Sequence, residues 1–449
     1  MDNGRIKPEI SRGSSVMNLS RASLKKIDEI TSSKKFIGAI APVIQYLPIS
    51  RVHKNILKVK EDASRGSREV KSYPYKMVIN ITNQCNLRCN FCEITYLHQK
   101  YPQHYSNQVD VDTFEKFSPI IENLYSLEFF GNVGEPLTNP DFMKIVRYVK
   151  QNFGARIFLN TNGTLLNPGI SSSMVENKLD EVLVSLHAAT EKVYEKLIGG
   201  TFQQVVENIK TLTTIKEEYR DKKPEVGIAF ALNQVNAEDK ENIIELTAKL
   251  HADYLQISHY YHGQNKLDRD ISFREKPAVG NAELDFMYSF AKLYSNIKRK
   301  KVSLRPKDPP YLGNDAKLCN EPKHCEAPWS TIKFDGCIEH QNSHYVAVCN
   351  RINLFRINYT EFNFTDFHLL WNHPYFQYIR ATVNSIESNP ICRFCKNPET
   401  AILRNTNNEE YRKQRDKAVK DFFEHADAHS TISNIKGIYL IKENPYGGN

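Results

Sequence analysis

Short apolar runs separated by longer amphipathic stretches recur through the middle of the chain. Strand-like runs fall at Met77 to Ile81, Ser126 to Phe130, Arg156 to Asn160, Glu181 to Leu186, Val226 to Leu232 and Tyr254 to His259. Between them, Val111 to Leu124, Asp141 to Asn152, Thr201 to Tyr219 and Asp239 to His251 carry apolar residues at three- and four-residue intervals, the period of a helix with one buried face. Strands alternating with helices predict an α/β fold with a parallel sheet built from six βα units.

Candidate chemistry begins where the first run ends. Cys85, Cys89 and Cys92 form a Cys-x3-Cys-x2-Cys string directly after the first strand, with Phe91 before the last cysteine. Structural zinc usually takes four ligands, and no fourth cysteine follows at finger spacing; His98 offers no second pair. Three cysteines leave one metal position open. An iron-sulfur cluster held this way has an iron free to take a small molecule, which is a catalytic rather than a structural arrangement.

Further elements follow in order: Gly131, Gly134, Glu135 and Pro136 after the second strand, Thr161, Asn162 and Gly163 after the third, and Ser185 to His187 ending the fourth. With the cysteine string they resemble the radical S-adenosylmethionine enzymes. The resemblance implies a partial (β/α)6 barrel with ligands at the carboxyl ends of the strands. It also implies a catalytic 4Fe-4S cluster on Cys85, Cys89 and Cys92 and bound S-adenosylmethionine, cleaved by one electron from a donor such as flavodoxin or ferredoxin. Phe91, Gly134, Glu135, Asn162 and Ser185 are carried over as cofactor-binding positions. Gly134 allows close backbone approach, and Glu135 can accept from the methionyl ammonium or fix the loop. Asn132 stands where many relatives have glycine, and Asn tolerates positive φ better than most residues. His259 and His262 follow the sixth strand and are candidate acid-base groups at the barrel mouth.

Cysteines resume beyond the barrel at Cys319, Cys325, Cys337, Cys349, Cys392 and Cys395, with Pro328 and Trp329 after Cys325. This segment resembles the SPASM/twitch extension, a small α+β domain holding an auxiliary 4Fe-4S cluster. The resemblance gives Cys325, Cys349, Cys392 and Cys395 as its ligands. Cys337 competes with Cys349 because it directly follows an Asp-Gly turn, Cys319 is a further alternative, and a zinc ribbon of the same cysteines is the competing structural reading.

The chain divides into a basic extension (1–73), the barrel (74–300), the auxiliary domain (301–398) and a charged tail (399–449). The tail has a helix-like stretch from Asn407 to His425 and a strand-like one from Gly437 to Lys442. The net charge of +8 resides in the extension, so the body is close to neutral. Apolar Phe36 to Pro48 is too short and interrupted to cross a bilayer. It is expected to dock on the neighbouring domain, with peripheral membrane contact the less favoured reading. Nucleic acid is not expected, since no aromatic-basic interleaving occurs there. Nine cysteines at ligand spacings, with Met1 to Ser33 largely polar and holding no long apolar run, fit a reducing cytoplasm. Function therefore reads as hydrogen abstraction from an unactivated C-H bond of a peptide or protein. Alternatives are a dehydrogenase or epimerase of a sugar-like or other small-molecule metabolite, or a non-catalytic iron-sulfur or zinc scaffold.

Overall fold

The computed structural model describes residues 50–92, 95, 99, 107–130, 134–220, 222–260, 271–273, 276–298, 302–306, 325–336, 343–348, 355–358, 360–384 and 438–440. Six strands take the expected places: β1 Lys76–Ile79, β2 Ser126–Phe129, β3 Arg156–Thr161, β4 Glu181–Ser185, β5 Glu225–Leu232 and β6 Tyr254–His259. Each pairs in parallel with the next, and β7 (Leu304–Arg305) adds a seventh after β6. The sheet continues at its other edge. There β8 (Thr331–Gly336) pairs in parallel with β1, then β9 (Ser343–Ala347), β10 (Phe355–Asn358) and β11 (Ile438–Leu440) follow antiparallel. The strand order runs β11-β10-β9-β8-β1-β2-β3-β4-β5-β6-β7, so β1 and β6 do not meet and the barrel is partial. The strand-like stretch in the tail is thus β11.

Side chains alternate across this sheet because successive strand residues point to opposite faces. Ile79, Phe129, Ile157, Val184, Ile228 and Ile257 are essentially inaccessible and pack beneath the helices. The other parity faces the lumen and is more polar: Glu128, Asn160, Ser185, Gln256 and Ser258 are half-buried there beside Phe158 and Leu183. Strand amphipathicity therefore separates a greasy outer shell from a hydrophilic cavity.

The covering helices follow their caps. Helix α1 (Arg51–Arg65) starts at Ser50, whose side chain accepts from His53 N–H, and stops at Gly66 with φ 64°. Helices α2 (Phe142–Asn152), α3 (Pro168–Glu176), α4 (Phe202–Glu218), α5 (Lys240–Lys249) and α6 (Pro277–Lys298) complete the outer layer. The expected helix from Val111 to Leu124 is two short pieces, Val111–Glu115 and Ser118–Ile121. Pro119 sits in the first turn of the second piece and lacks the N–H that would continue the ladder from the first, which interrupts the run.

Helix α1 belongs to the basic extension and is docked. Its Asn55 amide donates to Tyr73 O at 2.9 Å, Arg51 reaches Glu122 at 2.6 Å, and Val59 and Ala63 are buried. Buried Arg380 ties the same region to the C-terminal part, donating to Pro328 O and Arg68 O while lying over the Trp371 ring. Phe36 to Pro48 and Asn407 to His425 lie outside the described residues. Among the described residues, no helix is long and apolar enough to cross a membrane.

Candidate active site

The three cysteines of the first string lie on the loop leaving β1 at the carboxyl end of the barrel strands. All three are half-buried, and none is in a disulfide. Burial, reinforced by Glu135 and Cys92, pushes the Cys85 thiol up to about 11. Burial and the two neighbouring thiols raise Cys89 further. The thiols thus lie close enough to oppose one another's ionisation, and a cation is what makes the thiolate forms favourable. Among the described residues, no three Cys, His, Asp or Glu side chains gather closely enough to cage a single metal ion.

Backbone contacts fix this loop. Gly134 stands where a Cβ would come within 2.6 Å of Gln84 O and Thr82 O, so any side chain would collide with the backbone leading into Cys85. The glycine is required by the cysteine loop itself. Glu135 N–H donates to Gln84 O at 2.7 Å, and Asn90 N–H to Leu197 O at 2.9 Å.

Glu135 is 3% exposed, and its carboxylate is spent on the protein. It accepts from Thr161 Oγ1 and from the Asn162 and Leu137 N–H groups. Of the two roles expected for it, fixing the loop is the one these bonds describe. Burial raises its pKa, opposed by those same hydrogen bonds.

The third-strand turn closes over the loop. Asn162 Nδ2 donates to Asn86 Oδ1 at 2.9 Å and lies 4.0 Å from Cys85 Sγ. Asn86 in turn donates to Thr164 Oγ1 at 2.7 Å. Gly163 has φ 78° and would place a Cβ 2.7 Å from Val184 Cγ1, so both conformation and space demand glycine. Ser185 faces the lumen and donates to Asn160 Oδ1 at 2.8 Å.

Phe91 is held between two aromatic partners. Its ring meets His187 and Tyr260 edge-on, with centroids 5.7 and 5.3 Å apart, and Tyr260 Oη donates to Phe91 O at 2.7 Å. His187 has φ 55°, an uncommon backbone state for a residue with a Cβ and one that concentrates at functional sites. Its Nδ1 accepts the Ala231 N–H at 3.1 Å, so the neutral ring carries its proton on Nε2. Burial lowers its pKa to about 4.

His259 does not line the mouth. Strand parity puts it on the face of Leu255 and Ile257, where it is 2% exposed against Phe273 and beneath Gly280 of α6. Ser258, one residue earlier, holds the lumen-facing position. His262 lies outside the described residues, as do Cys319, Cys337, Cys349, Cys392 and Cys395.

Cys325 is half-buried just before the short helix Ala327–Ser330. Its N–H donates to Asn384 Oδ1 at 2.9 Å, and Asn384 Nδ2 returns a bond to Cys325 O at 3.1 Å. Because β8 starts six residues later and β9 runs antiparallel to it, β9 ends at the sheet end where Cys325 lies.

Comparison with known proteins covers the region that contains this site. The radical SAM superfamily model matches residues 79–247. Over 188 residues the chain is 29% identical to the tungsten-containing aldehyde ferredoxin oxidoreductase cofactor-modifying protein of Pyrococcus furiosus, covering 40% of this chain and 50% of that protein. A probable GTP 3',8-cyclase of Saccharolobus islandicus is 28% identical over 173 residues, 38% of this chain and 52% of that protein. The chain thus spans about half the length of these curated relatives. Crystal structures of Streptococcus suis SuiB share the fold: one superposes with TM-score 0.52 at 13% identity, covering 80% of this chain and 79% of that one. Another, bound to precursor peptide SuiA, gives 0.50 at 14% identity over 72% and 71%. The superfamily's enzymes use a 4Fe-4S cluster and S-adenosylmethionine. The cysteine loop, its glycine seat and the partial barrel beneath it lie in the segment that the family model matches, so residues 79–247 form a radical SAM domain.

Proposed function

We propose that the chain abstracts hydrogen from an unactivated C-H bond in a peptide or protein substrate. The observation that carries this reading is the position of Cys85, Cys89 and Cys92 above a polar lumen, on a loop held by Gly134, Glu135 and Asn162. Three soft thiolate donors fit an iron-sulfur cluster. When bound, that cluster supplies the electron that cleaves S-adenosylmethionine to a 5′-deoxyadenosyl radical, with flavodoxin or ferredoxin as the electron source.

The chain's own residues then divide the work. Cys85, Cys89 and Cys92 ligate, and Phe91 packs beside them. Asn162 and Ser185 offer amide and hydroxyl groups to the nucleoside and methionyl ends. Glu135 keeps the second and third strand ends in register. Glu128, Asn160, Gln256 and Ser258 face the space a substrate would enter.

Cys325, Cys349, Cys392 and Cys395 are the proposed ligands of a second 4Fe-4S cluster, which would accept an electron from substrate or shape its pocket. The return of β9 toward Cys325 favours Cys349 over Cys337. A peptide substrate is supported by the reach of the likeness to SuiB, which extends past the barrel, whereas the curated relatives match only part of the chain. Those relatives, a cofactor-modifying protein and a probable GTP cyclase, favour a small-molecule substrate as the second reading. Anaerobic reduction with S-adenosylmethionine tests the chemistry: 5′-deoxyadenosine should form, and a Cys85→Ala variant should form none. Product formation by that variant would overturn the assignment.

A further inference from the structure

A cavity of about 350 Å³ lies between α1 and the segment entering β1, lined by Arg51, Lys54, Asn55, Lys58, Lys71, Tyr73 and Asn123. Tyr73 precedes β1 and Asn123 precedes β2, so the cavity opens at the amino ends of these strands. The cysteine loop leaves β1 at its other end. The two sites are therefore at opposite ends of the barrel.

The charge pattern here works against the helix that carries it. Arg51, Lys54 and Lys58 recur at three and four residues, which puts three cations on one side of α1. Like charges at these spacings cost a few tenths of a kcal/mol per pair rather than supporting the helix. Arg51 and Lys54 also sit in the first turn, where the macrodipole is positive and carboxylates are the stabilising choice; that turn contains no acidic residue. Lys71 adds a fourth cation from across the cavity.

Glu122 answers only part of this charge. It takes the Arg51 guanidinium in a two-pronged pair at 2.8 and 2.6 Å, and Asn123 Oδ1 accepts from Arg51 Nε at 3.3 Å. The wall is otherwise set: Asn55 donates to Tyr73 O and Asn123 O and accepts from Tyr73 N–H. Among the described residues, Lys58 and Lys71 have no carboxylate within ion-pair distance. A polar floor under the Lys58 and Lys71 ammonium groups is a receptor for negative charge. Lysine is a compact point charge with rotatable donors, suited to phosphate oxygens.

We infer that this cavity binds a small molecule bearing two or more phosphate groups, held by Lys54, Lys58 and Lys71 over the Arg51-Glu122 and Asn55 floor. Two linked phosphates match several lysines facing one space of this volume. Nothing in the inference depends on the radical chemistry at the other end of the barrel.

Inorganic pyrophosphate is the probe, titrated calorimetrically into the full chain at constant ionic strength. Saturable binding should appear, with orthophosphate at least tenfold weaker, and pyrophosphate should raise the thermal midpoint. Lys58→Glu and Lys71→Glu should each weaken binding at least tenfold. Without pyrophosphate, Lys58→Glu should keep or raise the thermal midpoint, since it removes like-charge repulsion, and this shows the variant is folded. The iron content and 5′-deoxyadenosine yield of both variants should match the parent. The inference is overturned by absent saturation, by equal binding to the variants, or by tighter binding of an oligoglutamate peptide than of pyrophosphate, which would make the cleft a dock for acidic protein.

Discussion

The Glu135 carboxylate accepts the Asn162 N–H at 2.7 Å, so the turn after β2 holds the turn after β3. Both turns border the cysteine loop, and the Glu135 carboxylate itself is buried, as are its bonds to Thr161 and Leu137. Glu135→Ala leaves the Asn162 and Leu137 N–H groups and the Thr161 hydroxyl without their acceptor. Stranding buried donors costs about 1–3 kcal/mol each, so a loss on the order of 3 kcal/mol in chemical denaturation is expected. Iron bound by the cysteines should fall far less than S-adenosylmethionine affinity. An unchanged denaturation midpoint would show that the carboxylate does not hold the third strand.

Metal content separates the two cysteine groups. Reconstituted protein should carry about eight iron and eight sulfide as two 4Fe-4S clusters. Replacing Cys85, Cys89 and Cys92 together by Ala should leave about half and end S-adenosylmethionine cleavage. Iron analysis with a 5′-deoxyadenosine assay decides it, and retained cleavage would remove the catalytic role from this loop.

The sheet direction sharpens a choice that spacing left open. Lys333 pairs with Ala347 and Gly336 with His344, so β8 leads away from Cys325 and β9 leads back. Cys349→Ala should therefore lose the auxiliary iron, and Cys337→Ala should keep it. Iron retained by the first variant and lost by the second would mean the second ligand lies at the far end of the hairpin.

Strand positions were legible because apolar residues dominate each run, and the cysteine loop because its spacing has few other uses. Parity was legible too, yet unread: Tyr254, Gln256 and Ser258 alternate with Leu255, Ile257 and His259, which assigns His259 to the helix side. The packing role of His187 and Tyr260 was harder to find. It depends on meeting Phe91 from two different strand ends, a contact made only by tertiary closure. At Gly134 the sequence signalled a close backbone approach, and the structure adds that the backbone of residues 82–84 leaves no room for a Cβ there. The split at Pro119 was visible in the residue itself and outweighed the helical period around it.

Acid should destabilise the protein through buried neutral histidines. Burial lowers His259 and His373 to about 4, from an ordinary value of 6.5. Between those pH values the unfolded chain binds protons that the folded chain refuses. Stability is therefore fully present above pH 6.5 and lost as pH falls toward 4, by up to about 3 kcal/mol per histidine. His373 adds a direct cause, because its Nδ1 accepts the Tyr375 N–H at the start of helix Pro374–Thr382 and protonation ends that bond. Urea midpoints measured from pH 4 to 7 should rise with pH, and His259→Gln should flatten the rise. If His259 instead served as an acid-base group, the same variant would change product formed per S-adenosylmethionine cleaved. Its place against Phe273 and beneath Gly280 predicts that this ratio stays constant while the pH slope falls. A shifted ratio with an unaltered slope would return His259 to the barrel mouth.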